Sequence, residues 1–252
     1  MVKPPDKYSK ATSDDPASSA EMVSPPVRRR RTALFQLALI LAVIVFALLT
    51  VLVSTTPSFT IDLQITRAIQ SIDSLLFSVS MRLVSWPGFL PQSIFITGLI
   101  ALVFYLSGLK WEAVVSLLAS AVSGLTNELI KGLIRRPRPA VNIVDVFRVL
   151  DSYSFPSGHV MFYTILFGFI WYVVYTLLKQ SLQRSFFLCV FGFFILTVGI
   201  SRIYLGQHWA SDVLGAYLLG GLFLVGVVSL HRWGKSRFLV RKPTATGNTT
   251  ND

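Results

Sequence analysis

The chain has 252 residues, of which 53% are hydrophobic and only 14% charged. That is too apolar for an ordinary soluble domain, and several runs reach the roughly 20 apolar residues that a bilayer span needs. The formal net charge of +11 does not imply nucleic acid: much of it lies beside apolar runs, where basic residues anchor spans on the cytoplasmic side.

Residues 1–27 are rich in Pro, Ser, Asp and Lys without apolar periodicity, and composition predicts a disordered cytoplasmic tail. Behind Arg28–Arg31 comes the first apolar run, 33–53. It is longer than a signal-peptide core and no small-residue cleavage site follows, so it reads as an uncleaved span. Further spans are predicted near 92–108, 112–130, 160–178, 186–200 and 213–230. Six spans leave little chain for a second folded domain. The expectation is one membrane-embedded domain over 28–234, followed by a second disordered cytoplasmic tail at 235–252. The fold class is therefore all-α: a six-span transmembrane helical bundle. Cys189, the only cysteine, falls inside a predicted span and can form no internal disulfide.

Residues 54–90 differ from the spans. Ile61, Ile65, Ile69, Ile72, Leu76, Val79 and Leu83 recur at helical spacing, interrupted by Asp62, Arg67, Asp73 and Arg82. Such charges are costly at mid-bilayer. The pattern predicts an amphipathic helix on the membrane surface between spans one and two, ended by Trp86-Pro87-Gly88; a packed helix between spans fits it as well.

Placing Arg28–Arg31 in the cytoplasm puts both termini there, together with Lys110, the 179–184 loop and the basic residues from Arg232 onward. Lys131, Arg135, Arg136, Arg138, Arg148 and Arg202 then fall on the other side, against that bias, and need a separate reason. They belong to three polar clusters. The first is KGLIRRPRP, Lys131–Pro139, where two prolines end span three. The second is PSGH, Pro156–His159, where Ser157 is a candidate N-cap for span four and Gly158 permits close approach to the backbone. The third is SRIYLGQHWASD, Ser201–Asp212, with His208 and Asp212 one helical turn apart. Taken singly, each has a bland reading: interface anchors, a turn, a capped helix start. Because consecutive spans alternate in direction, all three clusters share one membrane face. His231 sits at the opposite face and reads as an interface residue.

Together the clusters supply the fixed cations Lys131, Arg138 and Arg202, neutral donors near Ser157, and two histidines, without a carboxylate cluster suited to Mg²⁺. Guanidinium and ammonium groups at one point cradle a multiply charged tetrahedral anion. One histidine can serve as nucleophile and another can protonate a leaving oxygen. Metal-free phosphoester cleavage fits this set.

The motifs resemble those of the type 2 phosphatidic acid phosphatase superfamily, the integral-membrane lipid phosphate phosphatases. Its pattern is a lysine, six residues and Arg-Pro; Pro-Ser-Gly-His; and Ser-Arg, five residues, His, three residues, Asp. Here these are Lys131 to Arg138-Pro139, Pro156 to His159, and Ser201-Arg202 to His208 and Asp212. The resemblance implies that His208 attacks phosphorus, that Asp212 orients it, and that His159 protonates the leaving oxygen and then activates water. Lys131, Arg138, Ser157, Gly158 and Arg202 would hold the phosphoryl oxygens, with no metal and no cofactor. Glu128, one turn before Lys131, either pairs with it or neutralises a polar patch. The expected function is a membrane phosphatase acting on a lipid phosphate or a polyprenyl diphosphate. Its active site would lie at the non-cytoplasmic surface of a cell membrane, its partners would be membrane lipids and not nucleic acid, and the substrate would come sideways from lipid past the 54–90 helix. A phosphotransferase on the same scaffold, or a non-enzymatic lipid or anion transporter, are the alternatives. The exact lipid and the oligomeric state are not encoded in these motifs.

Overall fold

A computed structural model describes residues 25–239; the rest of both predicted tails lies outside the described residues. The described residues fall into two units that divide between Ile40 and Leu41. In the first, the described residues begin helix α1, Pro25–Thr55. There Leu34, Phe35, Leu37 and Ile40 are all exposed, the pattern of side chains that face lipid rather than a protein core.

In chain order after α1 come α2 (Thr60–Gln70), α3 (Leu75–Ser85), a 3₁₀ turn at Trp86–Gly88, α4 (Leu90–Leu106) and α5 (Lys110–Ile134). They are followed by α6 (Gly158–Phe162), a π-helical turn at Tyr163–Phe167, α7 (Gly168–Leu177), α8 (Leu182–Tyr204) and α9 (Ala210–Gly234). All regular structure among the described residues is helical. Five helical stretches are long and apolar enough to cross a bilayer: Arg29–Thr55, Lys110–Ile134, Gly158–Leu177, Leu182–Tyr204 and Ala210–Arg237. The sixth predicted span is α4, whose 17 residues lie at the short limit for a crossing. It passes the same test only together with α3, from which it is bent by 65°. The protein is an integral membrane protein.

The segment predicted as one surface helix is two. Ser74 caps α3, its hydroxyl accepting from the Phe77 amide at 3.4 Å, so helix starts afresh after Ile72-Asp73. Nor do all of its charges stay at the surface: Asp62 is 1% exposed, for a reason given by the site below. α3 instead packs on α8, where the Ser201 hydroxyl donates to the Met81 carbonyl at 2.6 Å.

The core forms around the α6–α7 segment, where Val160, Tyr163, Ile165 and Phe169 are wholly buried. This segment packs on α8 and α9, while α4 pairs with α5. At the end away from the three clusters, His231 is not the expected interface residue. It is buried beneath Phe169 and Tyr172, with Nε2 3.0 Å from Glu112 Oε1. Lys235 pairs with the same carboxylate at 2.5 Å. A buried carboxylate needs such partners, and α5 and α9 supply them to each other.

Candidate active site

Each cluster reaches the site through a break in a helix. α5 ends on Arg135, which takes the left-handed conformation (φ 52°) and returns its amide to the Lys131 carbonyl at 2.9 Å. Such a residue commonly closes a helix, and Pro137 and Pro139 prevent its resumption. The chain then turns Arg136 and Arg138 inward. α8 ends at Tyr204, and Gly206 (φ +62°) lets the backbone turn beneath the Asp145 carbonyl, where a Cβ would collide. That turn presents His208. Ser157 occupies the N-cap position of α6, but its hydroxyl makes no capping bond; it is buried without a hydrogen-bond partner.

These breaks bring all eight predicted residues to one end of the bundle. His208 Nε2 lies 3.2 Å from Arg138 Nη1. A guanidinium can only donate, so Nε2 accepts and the proton sits on Nδ1. Nδ1 faces Asp212 Oδ2 at 3.6 Å. Burial first, and then the Arg138, Arg202 and Lys131 cations, hold the His208 imidazole well below the usual histidine range. It is a neutral ring at pH 7 with a lone pair on Nε2.

The cations are fixed from behind. Arg138 donates to the Ser152 carbonyl (2.7 Å), the Ser152 hydroxyl (2.9 Å) and the Gln207 carbonyl (2.6 Å). Arg202, 1% exposed, donates to Ser85 Oγ at 2.5 Å and Gln207 Oε1 at 3.0 Å; its Nε has no partner. Lys131 pairs with Glu128 at 3.0 Å, the first of the two roles open to that carboxylate. A Cβ on Gly158 would sit 3.0 Å from Asn127 Oδ1 and 3.8 Å from Lys131 Nζ, so the start of α6 lies directly against the lysine.

His159 is fixed by carbon rather than by hydrogen bonds. Phe89 meets its ring edge-on at a centroid distance of 4.9 Å, and Gly88 lies so close that a Cβ there would overlap the ring. His159 Nε2 is buried and unpartnered. Gly88→Ala should therefore displace the imidazole and lower kcat by about 10²-fold, the scale of a 1 Å misplacement. The check is turnover of detergent-purified protein whose melting temperature is unchanged.

His159, His208, Arg138, Arg202 and Lys131 line a cavity of about 780 Å³. Away from the polar end its wall is Leu90 and Ile94 of α4, Leu117 and Leu125 of α5, and Phe162 of α6. Leu90 and Leu125 are each 74% exposed, so the cavity opens sideways between α4 and α5. Neither α2 nor α3 contributes to its lining, but Gly88 and Leu90, at the end of the 54–90 segment, do.

One residue of the site was not singled out from the sequence. Arg136, 1% exposed, donates from Nη1 to Asp212 Oδ1 at 2.5 Å and from Nη2 to Asp62 Oδ2 at 2.8 Å. It accounts for the burial of Asp62. Its signal in the sequence was a basic residue on the side of the membrane that disfavours one.

Fold and site define an all-helical membrane protein with a histidine-containing anion cradle at the end of an apolar, laterally open cavity. Residues 112–236 match the family model of the PAP2 superfamily, and the chain carries a PAP2 superfamily domain there. It is 36% identical over 120 residues to phosphatidylglycerophosphatase B of Bacillus subtilis, covering 46% of this chain and 57% of that one. To the dolichyldiphosphatase of Saccharomyces cerevisiae it is 27% identical over 145 residues, covering 52% and 60%. Both matches span less than two thirds of the relative. Among solved structures, the transmembrane PAP2-type phosphatidylglycerolphosphate phosphatase from Bacillus subtilis superimposes with a TM-score of 0.69 at 26% identity, over 79% of this chain and 98% of the other. LpxE of Aquifex aeolicus shares the fold, with a TM-score of 0.54 at 20% identity over 68% and 96%.

Proposed function

We propose that this protein is a membrane phosphatase that hydrolyses a lipid phosphate monoester or an isoprenoid diphosphate through a phosphohistidine, without a metal ion. The observation that carries the reading is the state of His208: a neutral imidazole with Nε2 as acceptor, beside Arg138 at the polar end of an apolar cavity. The named activities of the two curated relatives agree with it.

In this reading the lipid lies between α4 and α5 and its phosphate sits among Lys131, Arg138 and Arg202, with Ser157 and the Gly158 backbone as neutral donors. Nε2 attacks phosphorus and the bond from phosphorus to the lipid oxygen breaks. His159 gives its proton to that oxygen. The imidazole, now carrying the phosphoryl group and a positive charge, is stabilised through Nδ1–H by Asp212. Water then gives a proton to His159 and its oxygen attacks phosphorus. The P–N bond breaks, leaving inorganic phosphate and neutral His208. The side-chain cations neutralise the charge that develops on the phosphoryl oxygens, the main electrostatic task in such transfers. The bias of basic residues toward the Arg28–Arg31 side supports a reading with both termini in the cytoplasm and the site at the non-cytoplasmic surface.

The test is phosphate release from detergent micelles of phosphatidic acid, phosphatidylglycerol phosphate and a polyprenyl diphosphate, each with and without chelator. We expect hydrolysis of at least one, unchanged by chelator. Activity abolished by chelator and restored by a divalent cation would overturn the metal-free mechanism.

A further inference from the structure

We propose that Arg136 and Asp62 are positioning residues for the reaction: a buried clamp that fixes Asp212 and, through it, the nucleophilic ring of His208. The inference rests on the phosphatase reading above. Asp62 comes from α2, outside the residues that match the family model.

Asp212 accepts hydrogen bonds from three donors: Arg136 Nη1, the Trp209 amide at 2.8 Å, and the Ser154 hydroxyl. The amide and hydroxyl act on Oδ2, the oxygen that faces His208 Nδ1; Arg136 takes Oδ1. With both oxygens engaged, the carboxylate plane cannot rotate, and Oδ2 is aimed at the ring. Arg136 is itself immobilised. Its Nε donates to the Pro57 carbonyl at 3.1 Å, and Nη1 also donates to Ser211 Oγ at 2.7 Å. Its Nη2 pairs with Asp62 at 2.8 Å, and the guanidinium lies 5.4 Å over the Phe59 ring. Asp62 in turn accepts from the Phe59 amide (3.3 Å), the Ser211 amide (2.8 Å) and the Ser211 hydroxyl (2.7 Å). The clamp thus ties the start of α2 to the start of α9 both through Arg136 and through the direct bonds from Ser211 to Asp62.

The charge count favours a role in the reaction over simple burial. Two carboxylates share one guanidinium, leaving one negative charge in excess among Asp62, Arg136 and Asp212. A buried surplus of this kind is costly by itself. Arg138 offsets part of it from the cradle side, and His208 does so directly when it becomes cationic on accepting a phosphoryl group. The phosphate cradle is separate: Lys131, Arg138 and Arg202 contact neither Asp62 nor Arg136.

Arg136→Lys keeps a cation that cannot span both carboxylates, and Asp62→Asn keeps the shape of the side chain without its charge. For each purified variant that retains the wild-type elution profile, steady-state turnover and the pre-steady-state burst are measured beside His208→Ala. We expect kcat and the burst rate to fall together by about 10- to 100-fold with KM within about twofold, as for a misaligned nucleophile. Guanidinium ion added to Arg136→Ala should restore part of the burst, which a merely structural role would not permit. Wild-type kcat in either folded variant, or a rise in KM alone, overturns the clamp, as does failure of both variants to fold. If His208→Ala itself turns over normally, the phosphohistidine mechanism on which the clamp rests fails instead, and if wild-type protein hydrolyses none of the three lipids, the phosphatase reading fails.

Discussion

His208→Ala is expected to lower phosphate release by roughly 10⁴-fold or more, the scale on which nucleophilic residues act. No other group at the polar end of the cavity replaces it. His159 is held by Gly88 and Phe89, Glu128 is engaged by Lys131, and the remaining groups are cations, hydroxyls and the Asn127 amide. The fold should survive the change, because Asp212 keeps its bonds to Arg136, Ser154 and Trp209. Turnover is measured on protein with an unchanged melting temperature. Activity close to wild type would rule out the nucleophile assignment.

The same ring carries a pH prediction whose sign follows from its surroundings. Its folded-state pKa is depressed, with burial as the first cause and the Arg138, Arg202 and Lys131 cations behind it. The neutral, reactive form therefore persists below the ordinary histidine value of about 6.5, and activity falls only at lower pH. Removing one cation relieves part of the depression. In Arg138→Gln the acid limb of kcat/KM should move to higher pH while overall activity drops. The substrate's own ionisation is common to both enzymes, so the displacement between the two profiles reports His208. A limb that stays in place would show that the ring is not what titrates there.

What the sequence made legible was local or carried by spacing. Long apolar runs announced the spans, and the three motifs announced the residues because alternation of helices forces them to one face. What it hid depended on contacts between distant segments. KGLIRRPRP offers four basic residues, and only the position of Asp62, 74 residues before Arg136, decides that Arg136 is the most deeply buried of them. The same pairing explains why the charges of 54–90 do not all lie at a surface. The break at Ser74 is hidden because the apolar spacing continues across it from Ile72 to Leu76; helical periodicity reports a face and is blind to a cap. The cavity is hidden from the sequence for a related reason. Leu90 and Leu125 look in sequence like any lipid-facing leucine, and only the packing of α4 on α5, after the 65° bend between α3 and α4, brings them to one cavity.

His159→Ala should separate the two halves of the reaction. With a lipid phosphate, the departing alkoxide needs a proton, and loss of a general acid costs about 10²- to 10⁴-fold. With an aryl phosphate the leaving oxygen needs little help, so His208 should still be phosphorylated and release about one equivalent of phenol in a burst. Turnover should then stall, since His159 is also the group that takes the proton from water. The phosphoryl group should remain on the protein as an acid-labile, alkali-stable adduct that is absent from His208→Ala. A burst followed by normal turnover would leave His159 as the acid alone and require another base for water. The absence of any burst with the aryl substrate, in folded protein, would mean that His159 is needed before the leaving group departs. Its place would then be in setting the phosphate against Arg202, with which it shares Phe89: the His159 ring lies edge-on to that ring, and the guanidinium lies 5.7 Å from its centroid.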